Sequence, residues 1–263
     1  MTDQTIAIDV VVFEGTGGFS RRSQPVIREK PVSLHVNGVE LVTLLCTGHH
    51  LHELAAGFLY AEGFLRRLED LEKIEVDEEA GRVEITCPKD LSHVNQLWTK
   101  RTVTSGCGKG TLFSFALDAL RSKPVNSALR LSAENVVHRM EDLHRLSDTY
   151  RLTHGVHNTA LAKPLEILVF RDDIGRHNAV DMIVGHCFLN AVPLQDKLLV
   201  TTGRLTSEML IKAAKVGIPV IVSRNTATTL AIELAKSLHI TLIGHVRAGK
   251  FIIYAGEERI ETC

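Results

Sequence analysis

KLLVTTGRLTSEMLIKAAKVGIPVIVSRNTATTLAIELAKSLHITLIG, Lys197 to Gly244, decides the fold class of this chain. The apolar runs Lys197–Thr201, Ile218–Val222 and Ile240–Gly244 read as strands, and Ser207–Val216 and Thr226–Leu238 between them read as helices. These strands lack polar alternation, which predicts a sheet buried on both faces, the α/β pattern. Working outward, Leu165–Phe170 adds a continuous apolar strand, His177–Leu189 an apolar helix and Phe251–Tyr254 a last strand. Leu131–Thr149 reads as an amphipathic helix with Ser132 as its N-cap and Val136, Val137, Met140 and Leu143 on one face.

The first hundred residues form a compact α+β pattern. Thr5–Phe13 and Val32–Cys46 read as strands, the second broken at Asn37-Gly38, a two-residue hairpin turn. His52–Leu65 reads as a helix, Ile74–Val76 and Val83–Cys87 as strands joined around Glu79-Ala80-Gly81, and Leu91–Trp98 as a short helix. Arg101–Gly110 is a polar, glycine-rich connection, after which Phe113–Leu120 resumes a helical pattern.

The chain has 263 residues, 44% hydrophobic and 23% charged, with a formal net charge of −1. That is ordinary globular composition, and it gives no global basic field to attract a nucleic acid polymer. Neither a signal-peptide pattern nor a bilayer-length apolar run is evident, so no membrane association is expected. Five cysteines, Cys46, Cys87, Cys107, Cys187 and Cys263, are widely spaced and odd in number. This predicts free thiols in a reducing compartment, the cytoplasm. Without a C-x-x-C pair, a thioredoxin-like motif and a cysteine-rich zinc site are disfavoured. Cys187 reads as core, and Cys46 and Cys87 end apolar alternations.

Polar residues collect where the C-terminal strands end. Asp172, Asp173, Gly175, Arg176, His177 and Asn178 follow the first; Thr202, Gly203, Arg204, Thr206 and Ser207 the second; Ser223, Arg224, Asn225 and Thr226 the third; His245, Arg247, Gly249 and Lys250 the fourth. Carboxyl ends of strands form the ligand crevice of open α/β sheets, and helix N-termini there suit phosphate. A Ser or Thr before a helix is commonly only a cap, but an arginine at all four junctions favours a polyanionic, nucleotide-containing ligand. Neither G-x-x-x-x-G-K-[ST] nor G-x-G-x-x-G occurs, which disfavours NTPase and dinucleotide folds. In Thr153-His154-Gly155-Val156-His157-Asn158, the two histidines could share a metal only on a helix, which Gly155 opposes. Positioning or proton transfer by His157 and a satisfied surface role stand side by side.

Gly106-Cys107-Gly108-Lys109-Gly110 sets one thiol among three glycines with a lysine two residues away. Glycines leave the sulfur unshielded, and the lysine favours the thiolate. A reachable nucleophile and a glycine-rich turn that happens to contain a cysteine are equally compatible with this stretch.

Asp172-Asp173-Ile174-Gly175-Arg176-His177-Asn178-Ala179-Val180-Asp181 resembles the (E)D-[IV]-G-R-H-N-A-x-D-K signature of FdhD, the formate dehydrogenase accessory sulfurtransferase family. Other segments agree in order: Asn37-Gly38, Glu53 to Leu59, Glu62-Gly63, Thr153 to His157, Gly203 to Met209, Ser223-Arg224, Thr228 to Ala235, Thr241 to Gly244, and Arg247. The resemblance covers nearly the whole chain.

It implies a three-layer, cytidine deaminase-like α/β sheet with flanking helices at 131–263. A smaller N-terminal α+β unit at 1–100 precedes it, with a mobile cysteine loop and connecting helix at 101–130. It implies a sulfur carrier that passes persulfide sulfur from a cysteine desulfurase, through Cys107, to the molybdenum cofactor in its bis-molybdopterin guanine dinucleotide form. That cofactor is bound as substrate and required by formate dehydrogenase. The segment His245, Val246, Arg247, Ala248, Gly249, Lys250 corresponds to a cofactor-contacting stretch, and Arg176, His177, Arg204, Ser207 and Arg224 are expected beside it. The carrier is expected to hold no metal of its own and to form a homodimer.

Two positions depart from the family pattern. Many members carry C-G-x-C-G in the loop; here Thr104 stands where the first cysteine would be, or the alignment gaps and Cys107 is the only counterpart. Met182 replaces the lysine that ends the signature. A lone thiol cannot release sulfide by closing a local disulfide. A non-catalytic chaperone for the molybdenum cofactor is therefore the alternative. A zinc deaminase is disfavoured because the H-x-E and P-C-x-x-C elements are absent.

Overall fold

The computed structural model describes residues 4–88, 101–103 and 123–261. The helices read over Leu91–Trp98 and Phe113–Leu120 lie outside the described residues, as do Cys107 and Cys263.

β1 (Thr5–Phe13) and β2 (Phe19–Ile27) pair as a long antiparallel hairpin. β2 carries Arg21, Arg22 and Pro25 and no apolar alternation, so the sequence reading missed it; pairing with β1 supplies the order that its own pattern lacks. β3 (Lys30–Val36) and β4 (Val39–Cys46) turn at Asn37-Gly38, both at positive φ (50° and 80°), as a tight hairpin requires. With β5 (Lys73–Asp77), β6 (Arg82–Thr86) and β7 (Arg101–Val103) they form a sheet ordered β5-β6-β3-β4-β7. α1 (Leu51–Glu62) buries Leu54, Ala55, Phe58 and Leu59 against this sheet and ends on Gly63 at φ 85°.

The C-terminal part has β8 (Leu131–Ser132), α2 (Ala133–Leu146), α3 (Asp148–Thr153), β9 (His157–Ala162), β10 (Ile167–Asp173), α4 (Arg176–Leu189) and β11 (Leu198–Thr201). It continues with α5 (Ser207–Val216), β12 (Val220–Ser223), α6 (Thr229–Ser237), β13 (Thr241–Arg247), β14 (Lys250–Ala255) and β15 (Ile260–Glu261), which pairs with β8. The large sheet runs β10-β9-β11-β12-β13-β14. β11, β12 and β13 are parallel, whereas β9 is antiparallel to both β10 and β11.

β9 corrects the sequence reading, which took its first residues as a polar cluster and assigned no strand. His157 opens the strand, and Asn158–Ala162 are fully enclosed between β10 and β11. The predicted Leu131–Thr149 helix is likewise two helices. Ser132 caps α2 as expected, but Ser147 breaks it by accepting the Tyr150 N–H at 3.2 Å and donating to Asn158 Oδ1 at 2.9 Å.

The layers follow from the two faces of the sheet. Leu161, Leu199, Ile221 and Leu242 meet α4, α5 and α6 in one core. Ala160, Ala162, Val200, Val222 and Ile243 meet Val136, Met140 and Leu143 of α2 in another. The fold is thus α/β in three layers, helices on either side of a doubly buried sheet. The two parts of the chain meet through α1 and α4. A Cβ on Gly57 would stand 1.7 Å from the Asp181 carbonyl oxygen, and one on Gly185 would stand 1.8 Å from that of Glu53. The helix backbones therefore touch, and only glycine fits at that crossing.

Candidate functional site at the sheet edge

The polar junctions share one edge of the large sheet. β10, β11, β12 and β13 all end there, and antiparallel β9 begins there. The turns are bonded to one another: Ser223 Oγ donates to Gly203 O at 2.6 Å, Arg224 N to Thr201 O at 3.1 Å and His245 N to Asn225 O at 3.0 Å.

One group of cationic side chains sits where α4 and α5 begin. Arg176 and His177 open α4, Arg204 follows β11, and His157 enters from β9. Gly203 makes room for Arg176: a Cβ there would come within 2.9 Å of Arg176 Cβ. Arg176 Nε is buried and has no hydrogen-bond partner among the described residues; Thr206 Oγ1, at the α5 N-cap, is in the same state. Burial pushes the His157 imidazole below its ordinary value, and Arg176, His177 and Arg204 push the same way. His177 is also lowered, by burial first, against the pull of Glu208, whose Oε2 lies 3.1 Å from its Nε2. That contact, with help from Lys212 and Arg176, holds Glu208 below the usual carboxylate range. Ser207 is the first residue of α5.

A second group lies toward α2. Arg224 Nη1 is 2.9 Å from His144 Nε2, and Arg247 Nε donates to Arg224 O at 3.3 Å. Val246, Arg247, Ala248, Gly249, Arg224, His144 and Glu141 line a cavity of about 160 Å³. The β13–β14 turn that forms one wall places His245, Ala248 and Gly249 at positive φ. Val246 is buried in the α2-side core, whereas Arg247 and Lys250 are exposed. Burial and the Arg224 guanidinium both lower His144, which favours the neutral ring that can accept from Arg224. The sequence reading passed over His144. Its signal was the spacing Val137, Met140, Glu141, His144, which puts one face of α2 on the cavity.

Not every polar residue of the Asp172–Asp181 motif points at a ligand. Asp173 accepts from Thr47 N (2.8 Å), Thr47 Oγ1 (3.1 Å), Gly175 N (2.8 Å) and Asn178 Nδ2 (2.7 Å). Asn178 Nδ2 also donates to Leu45 O at 2.8 Å. These residues tie the start of α4 to the end of β4. Asp181 is buried in an ion pair with Lys212 at 2.7 and 2.8 Å. Met182, where the family pattern has lysine, is fully buried in the N-terminal core. His154 ends α3 in a left-handed conformation and His157 lies on a strand, so the two do not share a helical face.

The described cysteines are sealed. Cys46, Cys87 and Cys187 are free and buried, and burial raises all three thiols, Cys46 and Cys187 to about 12. Such thiols hold almost no nucleophilic thiolate near neutrality.

The fold and the edge define a three-layer α/β protein with cationic side chains gathered along the carboxyl ends of its strands. The profile of the FdhD/NarQ family matches residues 27–261. A Bacillus subtilis protein named sulfur carrier protein FdhD is 40% identical, over 99% of each chain. A Staphylococcus aureus protein of the same name is 39% identical over 98% of this chain and 97% of its own. In a crystal structure, a protein described as a formate dehydrogenase accessory protein from Desulfotalea psychrophila superposes with a TM-score of 0.81. It is 26% identical and covers 98% of this chain and 100% of its own. The chain belongs to the FdhD/NarQ family. No described helix is long and apolar enough to cross a membrane.

Proposed function

We propose that this protein is a sulfur carrier. In this reading it takes persulfide sulfur from a cysteine desulfurase and passes it to the bis-molybdopterin guanine dinucleotide form of the molybdenum cofactor, for use by formate dehydrogenase. The observation that carries the reading is the full-length likeness to proteins named sulfur carrier protein. It is supported by the sealing of Cys46, Cys87 and Cys187, which leaves Cys107 and Cys263; of these, Cys107 sits in the glycine-rich stretch that matches the family's cysteine loop. Cys107 as thiolate attacks the outer sulfur of the donor persulfide; one S–S bond forms as another breaks, and the donor leaves as a thiolate. Release of that sulfur as sulfide requires two electrons from a thiol reductant, because no second cysteine stands in the C-G-x-C-G position.

The cofactor is substrate here. Arg176, His177, Arg204 and Ser207 form one set of hydrogen-bond donors to its phosphates, and Arg224, Arg247 and the 245–250 turn form the other. Incubation with a cysteine desulfurase and cysteine, followed by persulfide trapping and mass spectrometry, tests the reading. The expected result is one extra sulfur on Cys107, lost in Cys107→Ala while guanine nucleotide binding persists. A clean thiol at Cys107 sinks the carrier reading and leaves a cofactor-binding chaperone, which the missing second cysteine favours.

A further inference from the structure

The edge group around Arg176 holds more positive charge than its surroundings balance. Neither Arg176 nor Arg204 makes an ion pair of 4 Å or less with a described carboxylate, and Arg176 Nε is buried without a partner. His157 stands among them. Arg204 is exposed and Arg176 half-buried with Glu208 as a partial counter-charge, so the cost of gathering these like charges falls on Arg176 and His157, and an anion joining them offsets it.

The surroundings of His157 are specific. From α4 it faces Arg176 and His177, and from the turn after β11 it faces Arg204 and Thr202. Across the ladder on β10 its partner is Asp173, whose carboxylate oxygens are taken by Thr47, Gly175 and Asn178. Thr202 Oγ1 accepts the Asn158 N–H at 3.0 Å, which leaves its proton and its second lone pair open to His157 Nδ1, 3.4 Å away. That contact fits the neutral tautomer that carries its proton on Nε2 and accepts at Nδ1. His177, by contrast, has the Glu208 carboxylate 3.1 Å from its Nε2, a charge partner although the two are not aligned as a hydrogen bond. His157 is therefore the imidazole in this group whose charge has no carboxylate to answer it.

We propose that His157 is a phosphate-binding residue of this edge, acting with Arg176 and Arg204, and that it takes up one proton when a phosphate dianion enters. This rests on the reading of the edge as a phosphate site. Two fixed guanidiniums and burial keep the empty-site ring neutral, which is consistent with its lowered titration. A dianion reverses the sign of the local field, so the ring takes up a second proton and both of its nitrogens become donors. The proton comes from solvent, and no other bond changes. The occupant is a phosphoryl group that is fully ionised near neutrality, as in a nucleoside diphosphate.

The test is calorimetric titration with GDP, and with inorganic pyrophosphate, between pH 7.2 and 8.5, above the second pKa of phosphate at about 6. Each pH is run in two buffers of different ionisation enthalpy, which reports the protons taken up. For the wild type the expected uptake approaches one proton per ligand, and the dissociation constant rises by up to about tenfold per pH unit. In His157→Gln the uptake vanishes and the pH slope flattens; in His138→Gln, at an exposed histidine of α2 outside the site, both persist. Binding without proton uptake, or uptake that survives His157→Gln, overturns the inference and leaves the carrier reading standing. Absence of binding by either probe overturns both the inference and the assignment of this edge to phosphate.

Discussion

Gly57 of α1 and Gly185 of α4 lie at a crossing where each helix backbone fills the space a partner's methyl would need, with clearances of 1.7 and 1.8 Å to the opposing carbonyl oxygens. Intrinsic helix propensity alone would make alanine stabilising at either position by about 1 kcal/mol. Steric exclusion wins, because the obstacles are backbone atoms that cannot rotate away. Gly57→Ala or Gly185→Ala should cost about 3 kcal/mol or more, read as a fall in the urea midpoint. A variant as stable as wild type would mean the helices do not touch here.

Asp173 ties the start of α4 to Thr47, and burial raises its pKa from 3.8 to about 6. The folded chain thus binds this proton more tightly than the unfolded chain does. The contribution of Asp173 to stability is full below pH 4, falls as pH rises toward 6 and is lowest above that. The gap corresponds to about 3 kcal/mol. Asp173→Asn should lower stability by a constant amount through its altered hydrogen bonds, and should also remove this slope. Urea titrations at pH 4, 5, 6 and 7 compare the two proteins. A wild-type advantage that is no greater at pH 4 than at pH 7 would contradict the shift.

Cys46, Cys87 and Cys187 should be inert in the folded protein. Iodoacetamide at pH 8, followed by peptide mass spectrometry, is expected to leave all three unmodified until denaturant is added. Rapid native labelling of Cys187 would show that the α4–sheet core opens, and would return it to the set of candidate carriers.

Arg224 should matter more through its geometry than through its charge alone. Loss of a charged hydrogen-bond donor costs about 1.5–3 kcal/mol, so Arg224→Ala should weaken GDP binding by roughly 10- to 100-fold. Arg224→Lys should recover only part of this, because an ammonium lacks the planar fork that meets His144 and phosphate together. Unchanged affinity in Arg224→Ala would remove the α2-side cavity from the site.

Much of the fold was legible in order of residues. The apolar runs after Leu165 and the helices between them needed only periodicity, and Ser132 and Asn37-Gly38 announced their cap and turn through local chemistry. β9 was not legible: its opening residues are polar because they lie at the ligand edge, and its remaining residues are too few to show a period. β2 was hidden for a related reason, since its partner β1 supplies its order.

The sequence by itself determined the layers, the four cationic junctions and the family, because these depend on local pattern and on motif. Tertiary structure alone decided which polar residues are spare. Asp173 and Asn178 look like site residues in the motif, yet they are bound to β4 and its following turn, whereas Arg176 Nε is left without a partner and His157 lies within reach of the Arg176 and Arg204 charges. The physical reason is that hydrogen-bond satisfaction and charge balance are properties of neighbours in space. Among the described residues those neighbours lie up to 168 residues apart, as Gln4 and Asp172 do.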